Sequence, residues 1–206
     1  MAEKEGKTAE NGGKMENNGK INLTPGTILG PLPAALVSCG TCEKPNIITV
    51  AWTGIVNSKP PMCYISVRPE RFSHGLISER REFVINIPTV SMAKRVDLCG
   101  MKSGRNGDKF KICGFTKTKA GSLDDCPVIA ECPVNIECRV KEITKLGSHD
   151  MFLAEITGLT VDSSLVDESG KLDLSKAGIV GYLHGEYVPL GKKRGSFGFS
   201  VRKKNK

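Results

Sequence analysis

Residues 133–143 constrain this chain more than any other stretch. Val134, Ile136, Cys138 and Val140 alternate with Asn135, Glu137, Arg139 and Lys141. A period of two puts the apolar set on one face of an extended strand and the polar set on the other. A helix would scatter both sets around its axis. The pattern predicts an antiparallel strand with one face buried and the other wet. Such a strand needs partners, so the fold must be built around a sheet.

The rest of the chain supplies those partners. Residues 34–39 are a short apolar run behind Pro31 and Pro33, and residues 46–52 carry Ile47, Ile48, Thr49 and Val50. Turn-forming residues between the two runs predict a hairpin. Residues 62–68, introduced by Pro60 and Pro61, and residues 82–87 read as two more strands. Residues 151–161 read as another, with Gly158 as a bulge. Two short helices are predicted. One follows Pro69, with that proline near its first turn, and runs to about Arg81. The other runs from an N-cap at Ser91 to Leu98 and stops at Gly100. Strands outnumber helices and do not alternate with them. A doubly wound fold is therefore disfavoured. The expected fold is mainly β, an antiparallel Greek-key split β-barrel with short attached helices.

Composition agrees with one folded domain. Hydrophobic residues are 39% and charged residues 25% of the 206, which allows a core and argues against global disorder. No apolar run is long enough for a membrane helix, and the polar start lacks a secretory apolar core. Residues 1–20 read as a disordered leader, 21–191 as the domain and 192–206 as a basic tail. The net charge is +8. Lys192, Lys193, Arg194, Arg202, Lys203, Lys204 and Lys206 supply most of it, with no acid between 192 and 206. A solvated tail or a terminal anion-binding patch fits better than a nucleic-acid-binding face. Phe197 and Phe199 interleave with these charges and are expected to pack onto the body.

The chain has eight cysteines but no secretory signal, and a domain of this size does not need disulfide staples. Buried free thiols in a reducing cytoplasm are the expectation. Cys39 and Cys42 form one C-x-x-C pair. It lacks the second pair of a zinc site and is followed by a turn rather than a helix. His74, His149 and His184 are too scattered to propose a metal. The sequence holds no G-x-G-x-x-G, P-loop, H-E-x-x-H or G-x-S-x-G motif. A nicotinamide cofactor, if used, must bind without a Rossmann domain.

Three segments carry chemistry. In Asn46–Thr53 an apolar strand ends at the only tryptophan, Trp52, which either packs in a core or stacks on a planar ring. In Ile65–Ser73 a strand delivers Ser66 and Arg68, Pro69 turns the chain, and Arg71 and Ser73 open a helix. An arginine, a hydroxyl and a helix start suit a phosphate. In Ser103–Phe110 a glycine-rich loop presents Asp108 and Lys109 beside Phe110.

In this order the segments resemble the flavin reductase-like FMN-binding split barrels, and within them the flavoredoxin type. The matching residues are Pro33 with Leu36-Val37-Ser38, the run Pro45 to Trp52, and Ile65 to Ser73. Phe83 to Pro88, Ser103 to Phe110, and the series Tyr187, Leu190, Gly191, Gly195, Phe197, Gly198, Phe199 complete the set. The resemblance implies bound FMN and no catalytic side chain, because the cofactor performs the hard step. It implies that Asn46, Thr49, Val50, Ala51, Trp52 and Thr53 border the isoalloxazine. Ser66, Val67, Arg68, Arg71 and Ser73 would hold the ribityl chain and phosphate. Ser103 and Asp108 would also contact the cofactor, and Lys109 would approach the pyrimidine side of the ring. His149 and Tyr182 would contribute late contacts, across the interface of a homodimer. The implied function is a flavin-dependent oxidoreductase. It would be either a flavin reductase using NADH or NADPH, or a carrier exchanging electrons with a donor or acceptor protein. Membrane and nucleic-acid partners are not expected. The alternatives are a binding module using the basic tail for nucleic acid, and a Cys39/Cys42 dithiol or metal centre. Removing residues 1–20 is expected to leave flavin content unchanged, read as the ratio of visible to protein absorbance.

Overall fold

The computed structural model describes residues 19–201. The expected leader thus lies almost wholly outside the described residues. In chain order the elements are β1 (Leu32–Pro33), β2 (Ala35–Gly40), β3 (Pro45–Val50), β4 (Thr53–Ser58), β5 (Pro61–Val67), α1 (Phe72–Arg80) and β6 (Glu82–Ile87). There follow α2 (Ala93–Met101), α3 (Lys109–Cys113), β7 (Lys117–Lys119), β8 (Pro127–Ile129), β9 (Val134–Lys145), β10 (Asp150–Val161), β11 (Val180–Leu183) and β12 (Glu186–Pro189).

Seven strands form one antiparallel sheet in the order β3-β2-β6-β9-β10-β5-β4. Its two edges, β3 and β4, are consecutive in the chain, with only Ala51 and Trp52 between them. The edges must therefore meet at that corner, and the sheet rolls into a barrel split along the rest of its seam. Backbone bonding pins the corner, where Ser66 N–H donates to Trp52 O at 2.9 Å. The barrel interior is apolar, built from Val37, Ile65, Phe83, Val140 and Phe152, with Ile77 of α1 packed against them. Burying each such side chain is worth about 1.5–3 kcal/mol. A second cluster joins Leu36 and Ile47 on the outer face to Val96 of α2 and Phe110 of α3. The strand β2 is buried along its whole length because both layers cover it.

Several local expectations are corrected. The strand β4 follows Trp52 directly and is mostly exposed, so the apolar signal that marks buried strands is weak there. Pro69 precedes α1 rather than entering it, and the helix begins at Phe72 behind Arg71. Ser91 lies in a 3-10 turn, not at an N-cap. Gly100 lies inside α2 rather than ending it, because the helix presses on β3: a Cβ there would sit 3.3 Å from Thr49 Cβ. The loop before Phe110 coils into α3, with Asp108 accepting from the N–H groups of Phe110 and Lys111. Phe197 and Phe199 are exposed and do not pack onto the body. The register of β9 with β10 shifts between Ile156 and Gly158, as expected for a bulge.

The polar face of β9 is wet only in its second half, where Arg139 and Lys141 reach solvent. Asn135 and Glu137 are buried: Ile129 of β8 meets Asn135, and the segment between β7 and β8 folds over Glu137. Burial opposes ionisation of Glu137. Hydrogen bonds from the Ser122 hydroxyl and from the N–H groups of Gly121 and Ser122 outweigh it and hold its carboxyl below the usual range. Asn135 donates to Asn86 Oδ1 at 2.9 Å. Asn86 is the hub of this layer. Its amide donates to Leu36 O and Ser38 Oγ, both at 2.9 Å, and its Oδ1 also accepts from Ile129 N at 3.0 Å. Asn86→Ala leaves these buried groups unpaired and is expected to destabilise by about 3 kcal/mol, measured by urea unfolding.

Candidate functional site

The corner between β3 and β4 opens into a cleft. One cavity there has a volume of about 350 Å³. Thr49, Val50 and Ala51 form its wall, and Trp52, His149 and Tyr182 line its aromatic rim. Ser66, Val67, Arg68 and Arg71 complete the set of expected residues in this cavity. A second cavity, of about 290 Å³, lies alongside and holds Asn46, Ser73, Ser103 and Lys109. Arg71, Ile48 and Gly100 border both cavities. The guanidinium of Arg71 donates to Gly100 O at 3.4 Å, where the two cavities meet.

Trp52 is 36% exposed and belongs to the cleft rather than to a core. Its ring centroid lies 4.4 Å from that of His149. The β9–β10 turn delivers His149, with Leu146 N–H donating to His149 O. Burial, and then the positive charge of Arg68, hold the imidazole pKa of His149 below its usual value. Arg68 itself pairs loosely with Glu70 at 3.9 Å, an exposed contact that contributes little. Its cation is thus available to the cleft.

The second cavity is cationic. Arg71, Lys102, Arg105 and Lys109 line it, against one carboxylate, Glu70. Lys109 is buried, and its Nζ donates to Ile47 O and Cys99 O, each at 2.7 Å. An ammonium has three donors, so two carbonyls leave one unassigned. Burial pulls the Lys109 pKa below the usual lysine value. A buried cation of this kind is stabilised by an anion placed beside it. Asn46 Nδ2 donates to Ser73 Oγ at 2.7 Å, while the buried Asn46 Oδ1 has no hydrogen-bond partner among the described residues. Gly104 brings the loop down onto this pair, and any side chain there would run into Asn46 and Phe72.

The structure separates some residues that the sequence grouped together. Arg68 lies in the first cavity and Ser73 in the second, with Arg71 between them. Lys109 shares a cavity with Ser73, not with Trp52. Thr53 and Asp108 line neither cavity. The Thr53 hydroxyl donates to Tyr64 O at 2.6 Å, and Asp108 caps α3. Sequence reasoning missed Asp97, Met101 and Tyr187 in the first cavity and Arg105 in the second. Tyr187 donates to Asp97 Oδ1 at 3.4 Å, and burial followed by that carboxylate pushes its pKa up to about 12. Tyr187 and Arg105 both lay within quoted motifs. Asp97 and Met101 left no local signal, since only the packing of α2 on β3 brings them in.

The Cys39 and Cys42 pair falls on the β2–β3 hairpin. Cys39 belongs to the barrel interior, where burial pushes its thiol up to about 12. Cys42 sits on the turn, its N–H donating to Asp125 O. All eight cysteines are free, and no cluster among the described residues could hold a metal ion.

The antiparallel split barrel is the fold shared with the flavin reductase-like proteins. The chain belongs to this family, because its residues 30–191 match the family model described as "Flavin reductase like domain". A protein of Archaeoglobus fulgidus is 33% identical over 147 residues, covering 71% of this chain and 81% of that protein. The flavoredoxin of Desulfovibrio vulgaris superposes with a TM-score of 0.82 at 30% identity, covering 89% of this chain and 100% of that one. The flavoredoxin from Methanosarcina acetivorans does so with a TM-score of 0.81 at 28% identity, covering 89% and 99%. None of the described helices is long and apolar enough to cross a membrane.

Removing the Arg68 cation takes away a charge that opposes imidazolium formation. Arg68→Ala is therefore expected to raise the His149 midpoint toward the ordinary imidazole value, followed by proton NMR titration.

Proposed function

We propose that this chain binds FMN and passes electrons or hydride through it, as a flavin reductase or a flavoredoxin-like carrier. One observation carries the reading: a flat aromatic rim and a cluster of cations lie in adjoining cavities bridged by Arg71. A mononucleotide flavin has the matching shape, one planar ring joined to one phosphate. The flavoredoxins among the similar structures support the same reading.

Bound flavin supplies two-electron chemistry that no side chain in the cleft offers. The protein's own residues bind, orient and exclude water. The Trp52–His149 pair would lie against one side of the ring, and Thr49, Val50 and Ala51 would wall off solvent. Arg71, Ser73 and Lys109 would hold the phosphate, with Arg105 beside them. This assigns Lys109 to the phosphate end rather than to the pyrimidine edge, because it shares its cavity with Ser73. Arg68 would then be the cation nearest the ring. Positive charge there favours the reduced, more anionic flavin.

The electron source in this reading is NADH, NADPH or a redox protein. A second copy of the chain would cover the cleft's rim in a homodimer. The exposed apolar side chains Ile28, Leu29, Ile55 and Val56, on either side of Trp52 in the sequence, support that arrangement.

Purified protein is expected to show flavin absorption in the blue and near ultraviolet, or to gain it on addition of FMN. Persistent lack of both sinks the reading. Arg71→Ala is expected to weaken FMN by about 10- to 100-fold, as for loss of a charge-assisted bond, and riboflavin far less. Titration by flavin fluorescence checks this, and equal losses would remove Arg71 from the phosphate. Bleaching of bound flavin by NADH or NADPH distinguishes a reductase from a carrier fed by another protein.

A further inference from the structure

The two ends of the cleft hang on different elements. Arg71 and Ser73 belong to the start of α1, and His149 belongs to the turn before β10. Among the described residues, one side-chain hydrogen bond bridges these elements. His74 follows Ser73, and Asp150 follows His149. His74 Nε2 lies 2.8 Å from Asp150 Oδ2, although the two residues are 76 positions apart. Their side chains are only 17% and 8% exposed. An ionised carboxylate can only accept, so Nε2 carries the proton.

The imidazole is held on its other sides as well. Nδ1 lies 3.5 Å from Ser78 Oγ, one turn along α1. The ring stands edge-on to Phe152, with centroids 5.1 Å apart. Asp150 is in register with Val67 of β5 and with Lys145 of β9. Its carboxylate therefore hangs from the strand beside the one that delivers Ser66 and Arg68. Neither His74 nor Asp150 lines either cavity.

We propose that His74 and Asp150 are a positioning pair. Their hydrogen bond fixes the start of α1, with Arg71 and Ser73, relative to the His149–Trp52 stack. The contact is largely shielded from water, which makes it directional and stiff. Its consequence for cofactor binding rests on the flavin reading above, but its effect on the stack does not. A ligand that must meet both ends of a cleft is sensitive to their separation.

Trp52 is the only tryptophan in the chain, so its fluorescence reports the stack in protein free of flavin. In His74→Ala, acrylamide quenching of Trp52 is expected to rise about twofold and the dissociation constant for FMN about tenfold, with the circular dichroism spectrum retained. His74→Gln, whose amide can donate to Asp150, is expected to recover both. A folded His74→Ala protein with wild-type quenching overturns the proposal. So does a His74→Gln protein as impaired as the alanine variant. If His74→Ala does not fold, His74→Phe keeps a ring against Phe152 and is read by the same two measurements. Failure of the wild-type protein to bind FMN would overturn the flavin reading alone and leave the quenching comparison to decide the positioning role.

Discussion

The cleft exists because the two edge strands of the sheet are neighbours in the chain. Only Ala51 and Trp52 join β3 to β4, so the edges of a seven-stranded sheet are tied at one corner. A twisted sheet tied in this way closes into a barrel there and stays split beyond it. Trp52 sits at the tie itself. The most specific aromatic surface in the protein is therefore placed by backbone topology rather than by side-chain packing. The apolar interior then holds the barrel at a fixed diameter.

Electrostatics divides the cleft. One cavity has an aromatic rim with Arg68 beside it, and the other gathers Arg71, Lys102, Arg105 and Lys109 against Glu70 alone. A lysine as buried as Lys109 is costly unless its donors are used. Two backbone carbonyls use two of them, which fixes the ammonium without neutralising it. That arrangement leaves net positive charge in a confined space, the condition under which an anion binds well.

The β9 strand shows how far a pattern can be read. Its alternation named the strand and its inward face. It also implied that Asn135 and Glu137 face water, yet both are buried and fully engaged. A polar residue reads the same whether its partner is solvent or a loop fifteen residues away. The helix ends failed for a similar reason. Gly100 is a helix stop by propensity, but within α2 it is the residue that permits close approach to Thr49. Exposed Phe197 and Phe199 reverse the expectation that these aromatic residues pack onto the body.

The strongly periodic strands, the antiparallel class and most of the residues that line the cleft were legible in the chain before it folds. Those properties are local, set by side-chain period and by short motifs. Packing settled which of those residues share a cavity. It set Lys109 beside Ser73 and Arg71 between the two cavities, and it left Thr53 and Asp108 outside both, the one bonded to Tyr64 O and the other capping α3. It also recruited Asp97 and Met101 from α2. Such neighbours come from separate elements, and their distances follow from how helices pack on a rolled sheet, which no local pattern encodes.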